Sequence, residues 1–566
     1  MLLFLVVPLV FLLPGYAWIR FSELTQRFGV LETIVLSFIL SVSFTSLSTA
    51  GLSFATPHYL SYSVTTSLVV SLILLILSLR YREWTRSSEP PRFNRALFPV
   101  FVLSFLYAVI FVALFWSSPF YPTTDAFDPI IHAQIVQAIN SGLARTTLLH
   151  SNFAIGMHFV AAVLERLTGV NSITAIRLLL SMVIVVSLFL AFFCARSVLG
   201  ADYANFAVIA WALIVPADAI HLVKVGTFPN VLSDALVIAT LWLISSYTKE
   251  PNYKLGLTLT FLTVMGVFVH STFLIFLAAL WLALPVFYFC HKLLFRNYLK
   301  SLLFSTLGLF GLLIVLGSFM SATFARIFAG YVITSFSSIP IVLNLELLVY
   351  NYSALTGPLA ALAVFAAVAF TVAKRRSLIW SLLLCVWFGV LMVGAIISLQ
   401  GWRFILLSMI PGGLLLGASI GSVRELNSAS VNWPKARHIL VSVLVCVLIL
   451  SGGFIGLLPR AFDPSSRARE EAIVDSMLWL KQHDQGQGVA SVGLLSDYRY
   501  LTTLTGITYA GDFNESANSM LTESRTRHFS YTAVAVQTPQ FPTFRSNILF
   551  EERYQNSVVA IFELFT

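Results

Sequence analysis

The sequence contains few charged residues: Asp, Glu, Lys and Arg together make up 10% of its 566 positions. Soluble domains carry about 25% charged residues, so this composition excludes an ordinary soluble protein. Hydrophobic residues make up 58% of the chain, and the mean hydropathy is +0.88. The long apolar runs exclude a β-barrel, whose strands alternate. We therefore expect an all-α polytopic membrane protein, because lipid requires every backbone polar group to be paired within its own segment.

Cysteine motifs and internal repeats are also missing, and a cleaved leader is not expected. The 4 cysteines have neither CxxC nor metal-ligand spacing, which gives no indication of a thiolate metal site. Residues 1–19 are apolar but have no basic n-region, so they indicate a first membrane helix rather than a cleaved signal. No internal repeat is visible, whereas transporters are often built from two related halves.

A membrane-spanning helix needs about twenty apolar residues, and about fourteen segments of the chain meet this requirement. They are 2–19, 30–54, 60–80, 97–116, 173–196, 203–220, 229–247, 255–270, 272–290, 300–320, 353–373, 378–399, 403–422 and 438–458. We expect the block 255–290 to form two helices separated at "HST", and residues 322–350 to form a re-entrant or surface segment.

Four basic loops fall on one side of the membrane with this count: 80–95, 291–300, 373–377 and 423–438. The positive-inside rule makes that side cytoplasmic. We therefore expect a multi-pass plasma membrane protein with its N-terminus and its C-terminal region outside, together with 117–172. Because the basic groups belong to membrane loops, nucleic acid is not an expected partner.

We expect the chain to consist of three regions. Residues 1–96 hold three extra N-terminal helices and an arginine-rich cytoplasmic loop, and residues 97–459 form the main transmembrane module. Within this module, two amphipathic stretches predict interfacial helices at 128–169. Residues 460–566 are less apolar and predict a small α/β exterior domain. Its expected helices are 469–483 and 514–528, and its expected strands are 488–495, 531–537 and 556–565.

Two aspartates and a histidine stand where the fourth apolar run ends, in "DAFDPIIH". Asp128 precedes a proline, and Asp is a common residue at the start of a helix. A partly buried carboxylate can act as a general base, and Asp125 with Asp128 can share a divalent cation such as Mg or Mn. His132, one turn later, can orient Asp128. The alternative is a helix cap at Asp128 and a solvated Asp125.

The order of these elements resembles the GT-C superfamily of membrane glycosyltransferases. That group includes oligosaccharyltransferase catalytic subunits, protein O-mannosyltransferases and lipid A aminoarabinose transferases. Its members are similar in having an apolar helix, an exterior acidic motif written D-E-x-x-H/Y or D-x-D, interfacial helices and a long series of spans. Here the motif is Asp128-Pro-x-x-His132, with proline in place of the second acid and Asp125 as the candidate for the displaced partner.

Three later stretches extend the resemblance over roughly 97–566. "SNFAIGMHFVAAVLERLTGV" resembles a Y-P-x-G-x-H pattern, with Gly156 and His158 in place and Asn-Phe replacing Tyr-Pro. "KVGTFPNVLSDALVIA" resembles a G-x-[FY]-P element at the exterior mouth of a helix. "QGWRFILLSMIPGGLLLG" resembles an R-[FY] helix start, which contains Arg403.

The resemblance implies an inverting transfer of a sugar from a polyprenyl or dolichyl phosphate (or pyrophosphate) to an acceptor glycan, lipid or protein outside the membrane. A cation should then stabilise the leaving phosphate. Arg403 is the first candidate, because arginine binds phosphate through two hydrogen bonds, and Lys224 and Arg326 follow. Snorkelling to lipid head groups is the alternative for all three.

Other polar residues near the exterior mouth complete the candidate site. His270 and His221 are candidates for donor binding, and structural hydrogen bonds are the alternative for each. The candidates for lining the cavity are Asp234, His158, Tyr350 and Glu346. Asp234 lies inside a span, where acids are usually functional.

Two other functions remain open: a transporter or lipid-carrier flippase, and a non-catalytic assembly subunit. The concentration of titratable groups at the exterior mouth favours the enzyme.

Overall fold

The computed structural model describes residues 2–80, 97–117, 128–150, 155–214, 227–270, 272–311, 379–397, 401–425, 464–483, 488–494, 507–512, 517–527 and 529–564. Its first helices are α1 (Leu2–Phe21), α2 (Val30–Leu52), α3 (Tyr59–Arg80), α4 (Phe98–Ser117), α5 (Asp128–Ala138), α6 (Ala144–His150), α7 (Gly156–Thr168) and α8 (Ser172–Val198). They are followed by α9 (Ala201–Ile209), α10 (Phe228–Lys249), α11 (Tyr253–Val269), α12 (Thr272–Leu282), α13 (Leu284–Cys290), α14 (292–311), α15 (Ile379–Ile397) and α16 (Gly401–Glu425).

The expected helical membrane region is confirmed. Among the described residues, 7 helical stretches are long and apolar enough to cross a membrane, and they belong to α2, α3, α8, α10, the α12–α13 pair, α15 and α16. Shorter apolar stretches lie in α1, α4 and α11. The full count of fourteen stays a prediction, because the candidate spans 353–373 and 438–458, together with 322–350, lie outside the described residues.

The break predicted inside the block 255–290 is confirmed at His270. Helix α11 ends at Val269, the backbone of His270 is extended, and α12 begins at Thr272. The ring of Phe273 packs where a side chain at Gly266 would otherwise lie. The ring of Phe273 can pack against α11 at this point because residue 266 has no side chain.

The N-terminal helices α1–α3 pack on one another and on α7, α8 and α11. Among the described residues, three ion pairs hold them to the main module at one end: Arg196 to Glu32, Lys254 to Glu23 at 2.8 Å, and Arg27 to Glu250 at 3.5 Å. The Arg196 guanidinium also lies over the ring of Phe193, 5.4 Å from its centroid. The three extra helices are therefore built into the bundle.

The C-terminal region forms the expected α/β domain. Helix α17 (Pro464–His483) leads into a sheet of five strands, with α18 (Ala517–Arg527) and α19 (Phe541–Arg545) between later strands. The strands are β1 (Val489–Val492), β2 (Tyr509–Asp512), β3 (Tyr531–Ala535), β4 (Phe550–Gln555) and β5 (Val559–Leu564). Their order is β2-β1-β3-β5-β4, with β1 parallel to β2 and β3, and β5 antiparallel to β3 and β4.

The three predicted strands and both predicted helices of this domain are confirmed, whereas β2 and β4 were not predicted. Both of the missed strands lie at the edges of the sheet. The sequence of β2 is only Tyr-Ala-Gly-Asp, and glycine and aspartate are weak strand formers. Strand β4 carries Glu551, Glu552 and Arg553, and such charges are typical of edge strands.

Candidate functional site

Helix α5 begins at Asp128, as the Asp-Pro pair predicts. Its buried face contains His132, Ala133, Val136 and Ile139, which follow the spacing of one helical side. This face turns His132 towards the interior of the bundle. The helix then breaks within Ile139–Leu143, where Gly142 has a left-handed backbone with a φ of 87°, before α6 begins.

The central feature of the site is a hydrogen bond between two buried histidines. Nδ1 of His132 in α5 lies 2.9 Å from Nε2 of His158 in α7. His132 is 4% exposed and His158 is 0% exposed. Burial, followed by the neighbouring His158 and His270, lowers the pKa of His132 well below 6.5. Burial lowers the pKa of His158 to about 3, although the backbone of Ile155 acts in the opposite direction.

Both rings are therefore neutral at physiological pH, and one ring nitrogen donates while the other accepts. Residues 132 and 158 come from two separate sequence motifs, and the fold brings them into direct contact. The pair fixes how α5 and α7 lie against each other immediately after Asp128. This arrangement restricts the directions in which His132 can present its second nitrogen.

Further side chains surround the pair. The ring of Phe228, the first residue of α10, lies 6.0 Å from that of His132. His270 is close enough to affect the pKa of His132, and its Nδ1 lies 2.7 Å from the Thr272 hydroxyl oxygen. The Thr272 hydroxyl in turn lies 3.4 Å from that of Ser233. The predicted site residues His132, His158 and His270 thus converge.

Gly156 in the second motif has a packing role. A Cβ atom at this position would meet the carbonyl oxygen and the ring of Phe268 in α11, both at 2.9 Å. The hydroxyl of Ser46 in α2 donates a hydrogen bond to the Gly156 carbonyl at 2.6 Å. Close approach of α7 to α2 and α11 therefore requires glycine at position 156. This close approach places His158 in the interior. Residues 156–164 of α7 are all buried, and the interfacial placement of this helix stays a prediction.

Two charged residues are buried at the same end of the long helices. Asp234, a predicted cavity-lining residue, is 1% exposed near the start of α10. Arg177 is 3% exposed near the start of α8, and sequence reasoning did not single it out. The available signal was an arginine within the second turn of an apolar span, because such charges are costly unless they are paired or functional.

The side-chain contacts of the remaining candidates lie outside the described part of the structure. Asp128 is placed at the start of α5 and Arg403 in the first turn of α16 by their backbone alone. The other predicted residues lie outside the described residues: Asp125, His221, Lys224, Arg326, Glu346 and Tyr350. Among the side chains that are described, no group of 3 or more His, Cys, Asp or Glu residues can hold a metal ion. The roles of all these candidates stay predictions.

Comparison with known proteins identifies the fold. The sequence matches no protein-family model and no curated protein. The structure is similar to that of the archaeal oligosaccharyltransferase AglB from Archaeoglobus fulgidus in complex with an inhibitory peptide and a dolichol-phosphate. The TM-score is 0.50, the identity is 8%, and the match covers 77% of this chain and 69% of that chain. A structure of the Archaeoglobus fulgidus enzyme tethered to an acceptor peptide gives a TM-score of 0.49 at 9% identity, covering 78% and 70% of the two chains.

At this level of identity the similarity concerns the fold. The chain shares the fold of that structure, and its own described residues form a helical membrane region followed by a C-terminal domain that contains a sheet. The expected combination of a helical membrane region with a small C-terminal α/β domain is confirmed, and the count of fourteen spans stays a prediction.

Proposed function

We propose that this chain is a membrane glycosyltransferase of the GT-C type, which transfers a sugar from a polyprenyl-phosphate or pyrophosphate donor to an acceptor outside the membrane. The observation that carries the proposal is the buried contact of His132 with His158 and Phe228, one turn after Asp128, inside a fold shared with an oligosaccharyltransferase. The compared enzyme was solved with a dolichol-phosphate, which supports a lipid-phosphate donor here.

Asp128 is the proposed general base, with Asp125 as its partner. The carboxylate of Asp128 takes the proton of an acceptor hydroxyl, and the acceptor oxygen forms a bond to the anomeric carbon of the sugar. The bond from that carbon to the phosphate oxygen breaks, and the configuration at the carbon is inverted. If the acceptor is an amide, the carboxylate positions its nitrogen instead. His132 orients Asp128 from one helical turn away.

The leaving phosphate needs positive charge as its bond to the sugar breaks. Arg403 is the proposed main contact, because a guanidinium matches two phosphate oxygens. Lys224, His221 and Arg326 are secondary candidates, and His270 stands at the junction of α11 and α12 beside the histidine pair. Asp234, Glu346 and Tyr350 are proposed to line the cavity.

A divalent cation such as Mg or Mn is part of the proposal. Carboxylate oxygens are suitable ligands for both ions, so Asp125 and Asp128 are the proposed ligands. Such an ion would supply positive charge near the phosphate.

The C-terminal domain is proposed to bind the acceptor. Strand β1 has parallel neighbours on both sides, and the chain crosses over β1 between β2 and β3. Ligands of α/β sheets usually bind at the carboxyl ends of strands where the connections leave in opposite directions. That position here is the edge formed by Gly493 after β1 and Thr538 after β3, which pack against each other.

Two aspartate substitutions test the proposal. Asp128→Asn removes the proposed base with almost no change in shape, so transfer from a polyprenyl-phosphate sugar should fall about 100-fold or more, the range for a general base. Asp125→Asn should reduce transfer as well. Transfer is measured by the appearance of labelled sugar on an acceptor, with purified protein in lipid nanodiscs.

The matched control is Asp202→Asn, because Asp202 is exposed at the start of α9 and belongs to no part of the site. This variant should transfer sugar at the wild-type rate. Full activity in both Asp125→Asn and Asp128→Asn would rule out the proposed catalytic loop.

A further inference from the structure

Helix α14 begins with three basic residues on one side. Lys292, Arg296 and Lys300 follow one another at intervals of four residues, so they lie within about 80° of one another around the helix. All three residues are exposed. None of their side chains makes an ion pair or a hydrogen bond with a described residue. These three residues form a basic stripe that has no counter-ion in the described part of the chain.

The same side of α14 becomes apolar after the basic stripe. Leu303, Leu307 and Phe310 fall in the same sector of about 80°, and they are 46%, 62% and 59% exposed. The outward side of α14 therefore changes from basic to apolar along its length, as expected where a helix passes from the head groups of a bilayer into its hydrocarbon core. The opposite side packs into the bundle and is buried, at Tyr298, Ser301, Leu302 and Ser305.

The length of the basic stripe is compatible with the head-group layer. Lys292 and Lys300 are about 12 Å apart along the helix axis, the head-group layer is about 5–8 Å thick, and basic side chains can extend towards it from deeper positions. Tyr288 at the end of α13 is 51% exposed, and its ring centroid lies 5.3 Å from that of Phe295 in α14. Exposed aromatic rings are typical of membrane–water interfaces, which supports the same level for the start of α14.

The neighbouring acids pair with other cations. The side-chain amide of Asn297 in α14 donates to the Thr248 carbonyl at 3.0 Å, so the basic stripe lies level with the end of α10. Three acids near this end of the bundle are already neutralised by residues outside the basic stripe: Glu23 by Lys254, Glu250 by Arg27, and Glu32 by Arg196. None of these acids is therefore a counter-ion for the basic stripe.

The basic stripe and the histidine pair lie at opposite ends of α10. Phe228, the first residue of α10, contacts His132, and Thr248 near its end accepts the hydrogen bond from α14. Twenty residues of helix separate these two points by about 30 Å, which is the thickness of a hydrocarbon core. With the histidine pair outside the membrane, the basic stripe lies at the cytoplasmic surface, where anionic lipids give the leaflet a negative potential.

We propose that the basic stripe is a binding site for an anionic phospholipid of the cytoplasmic leaflet. The ammonium groups of Lys292 and Lys300 and the guanidinium of Arg296 contact the head-group phosphate. The acyl chains lie along the apolar residues that follow on the same side of α14. A soluble anion would match the charge of the basic stripe but would leave this apolar continuation without a contact. The inference does not depend on the proposed function.

The test measures lipid binding to the full-length protein in detergent micelles, by native mass spectrometry during titration with phosphatidylglycerol or phosphatidylcholine. The wild type should bind the anionic lipid about tenfold more tightly than the zwitterionic one. Each of Lys292→Gln, Arg296→Gln and Lys300→Gln should raise the Kd for phosphatidylglycerol about fivefold, and the triple variant should raise it about 100-fold. Because all three residues are exposed, the substitutions should leave the fold intact.

The matched control variant removes three exposed positive charges from other parts of the chain, by Arg166→Gln, Lys481→Gln and Arg545→Gln. It should bind phosphatidylglycerol as tightly as the wild type. A second control adds glycerol 3-phosphate, which carries the head-group phosphate without acyl chains. It should not displace the lipid at the same concentration, because it lacks the apolar contact.

Equal affinity of the wild type for the two lipids would overturn the inference, as would wild-type affinity for phosphatidylglycerol in the triple variant. An equal loss of affinity in the control variant would also overturn it, because total charge rather than the basic stripe would then be responsible. Complete displacement by glycerol 3-phosphate would identify a site for a soluble phosphate instead. A wild-type protein that transfers no sugar would contradict the proposed function and leave the lipid-binding result unaffected.

Discussion

The buried histidine pair makes the stability of this protein depend on pH. His132 and His158 are neutral in the folded state because burial lowers the pKa of both rings. In the unfolded chain, each takes up a proton near its ordinary pKa of 6.5. Below pH 6.5 the unfolded state therefore binds more protons than the folded state, and the free energy of unfolding falls as the pH falls.

Lowering the pH from 6.5 to 5 should cost the wild-type protein about 2 kcal/mol for each of the two histidines. The variant His158→Gln keeps an N–H group beside His132 and should lose about 2 kcal/mol less than the wild type over this range. Unfolding in detergent at the two pH values measures the difference.

His291→Gln serves as the control for this experiment. His291 is exposed between α13 and α14, so its substitution should leave the full wild-type pH dependence. An equal loss of stability in His158→Gln and the wild type would show that the buried pair does not account for the acid sensitivity.

Some residues of the site could be predicted from the sequence, and their contacts could not. His132 and His158 each stand in a recognisable motif, but 25 residues separate them in the chain, so only the packing of α5 on α7 brings their rings together. Phe228 lies in the stretch "KVGTFPNVLSDALVIA", but it was not predicted as a site residue, because an aromatic residue at a helix start usually indicates packing. Arg177 was missed because it lies within an otherwise regular apolar span.

Close contact between α16 and α9 depends on glycine at position 417. A Cβ atom at Gly417 in α16 would lie 2.3 Å from the Cα of Ala207 and 2.4 Å from its nitrogen, in α9. These are backbone atoms, which cannot move aside as the end of a side chain can. Small residues allow membrane helices to approach in this way.

Gly417→Ala should therefore destabilise the protein by about 1–3 kcal/mol, the usual cost of an overpacked contact. Denaturation in a detergent series measures the free energy of unfolding of the variant and the wild type. The substitution should also push α16 away from α9, which a cross-link between cysteines placed on the two helices would detect as a lower yield.

Gly389→Ala is the matched control, because nothing lies within 4 Å of a Cβ atom built at this exposed position in α15. Alanine there should be neutral or stabilising by about 0.5–1 kcal/mol, the usual gain within a helix. Equal stability of Gly417→Ala and Gly389→Ala would contradict the close contact.

Elements were predicted well where their pattern is strong and poorly where it is not. The long apolar helices and the break before Thr272 follow from hydropathy and a polar interruption, and the break and 7 spanning-length helices appear among the described residues. Strands β2 and β4 were missed because edge strands use short or charged sequences.

The whole molecule combines a helical membrane region with an α/β domain, and the lower hydropathy after residue 459 together with the helix and strand patterns there was sufficient to predict this division. The N-terminal helices were expected to be an addition to the main module. Instead they are tied to α8 and α11 by ion pairs and to α7 by the Ser46 hydrogen bond. Such long-range pairings cannot be predicted from a single sequence, because each ion pair involves residues more than a hundred positions apart.

The central claim is that the protein transfers a sugar from a lipid-phosphate donor. The most direct measurement is a transfer assay with purified protein in nanodiscs, a panel of labelled polyprenyl-phosphate and pyrophosphate sugars, and glycan, lipid and peptide acceptors, each with and without EDTA. We expect transfer from at least one donor, with loss of activity in EDTA and recovery with Mg or Mn. No transfer from any donor, together with movement of intact lipid-linked sugar across the bilayer, would contradict the account and identify a flippase.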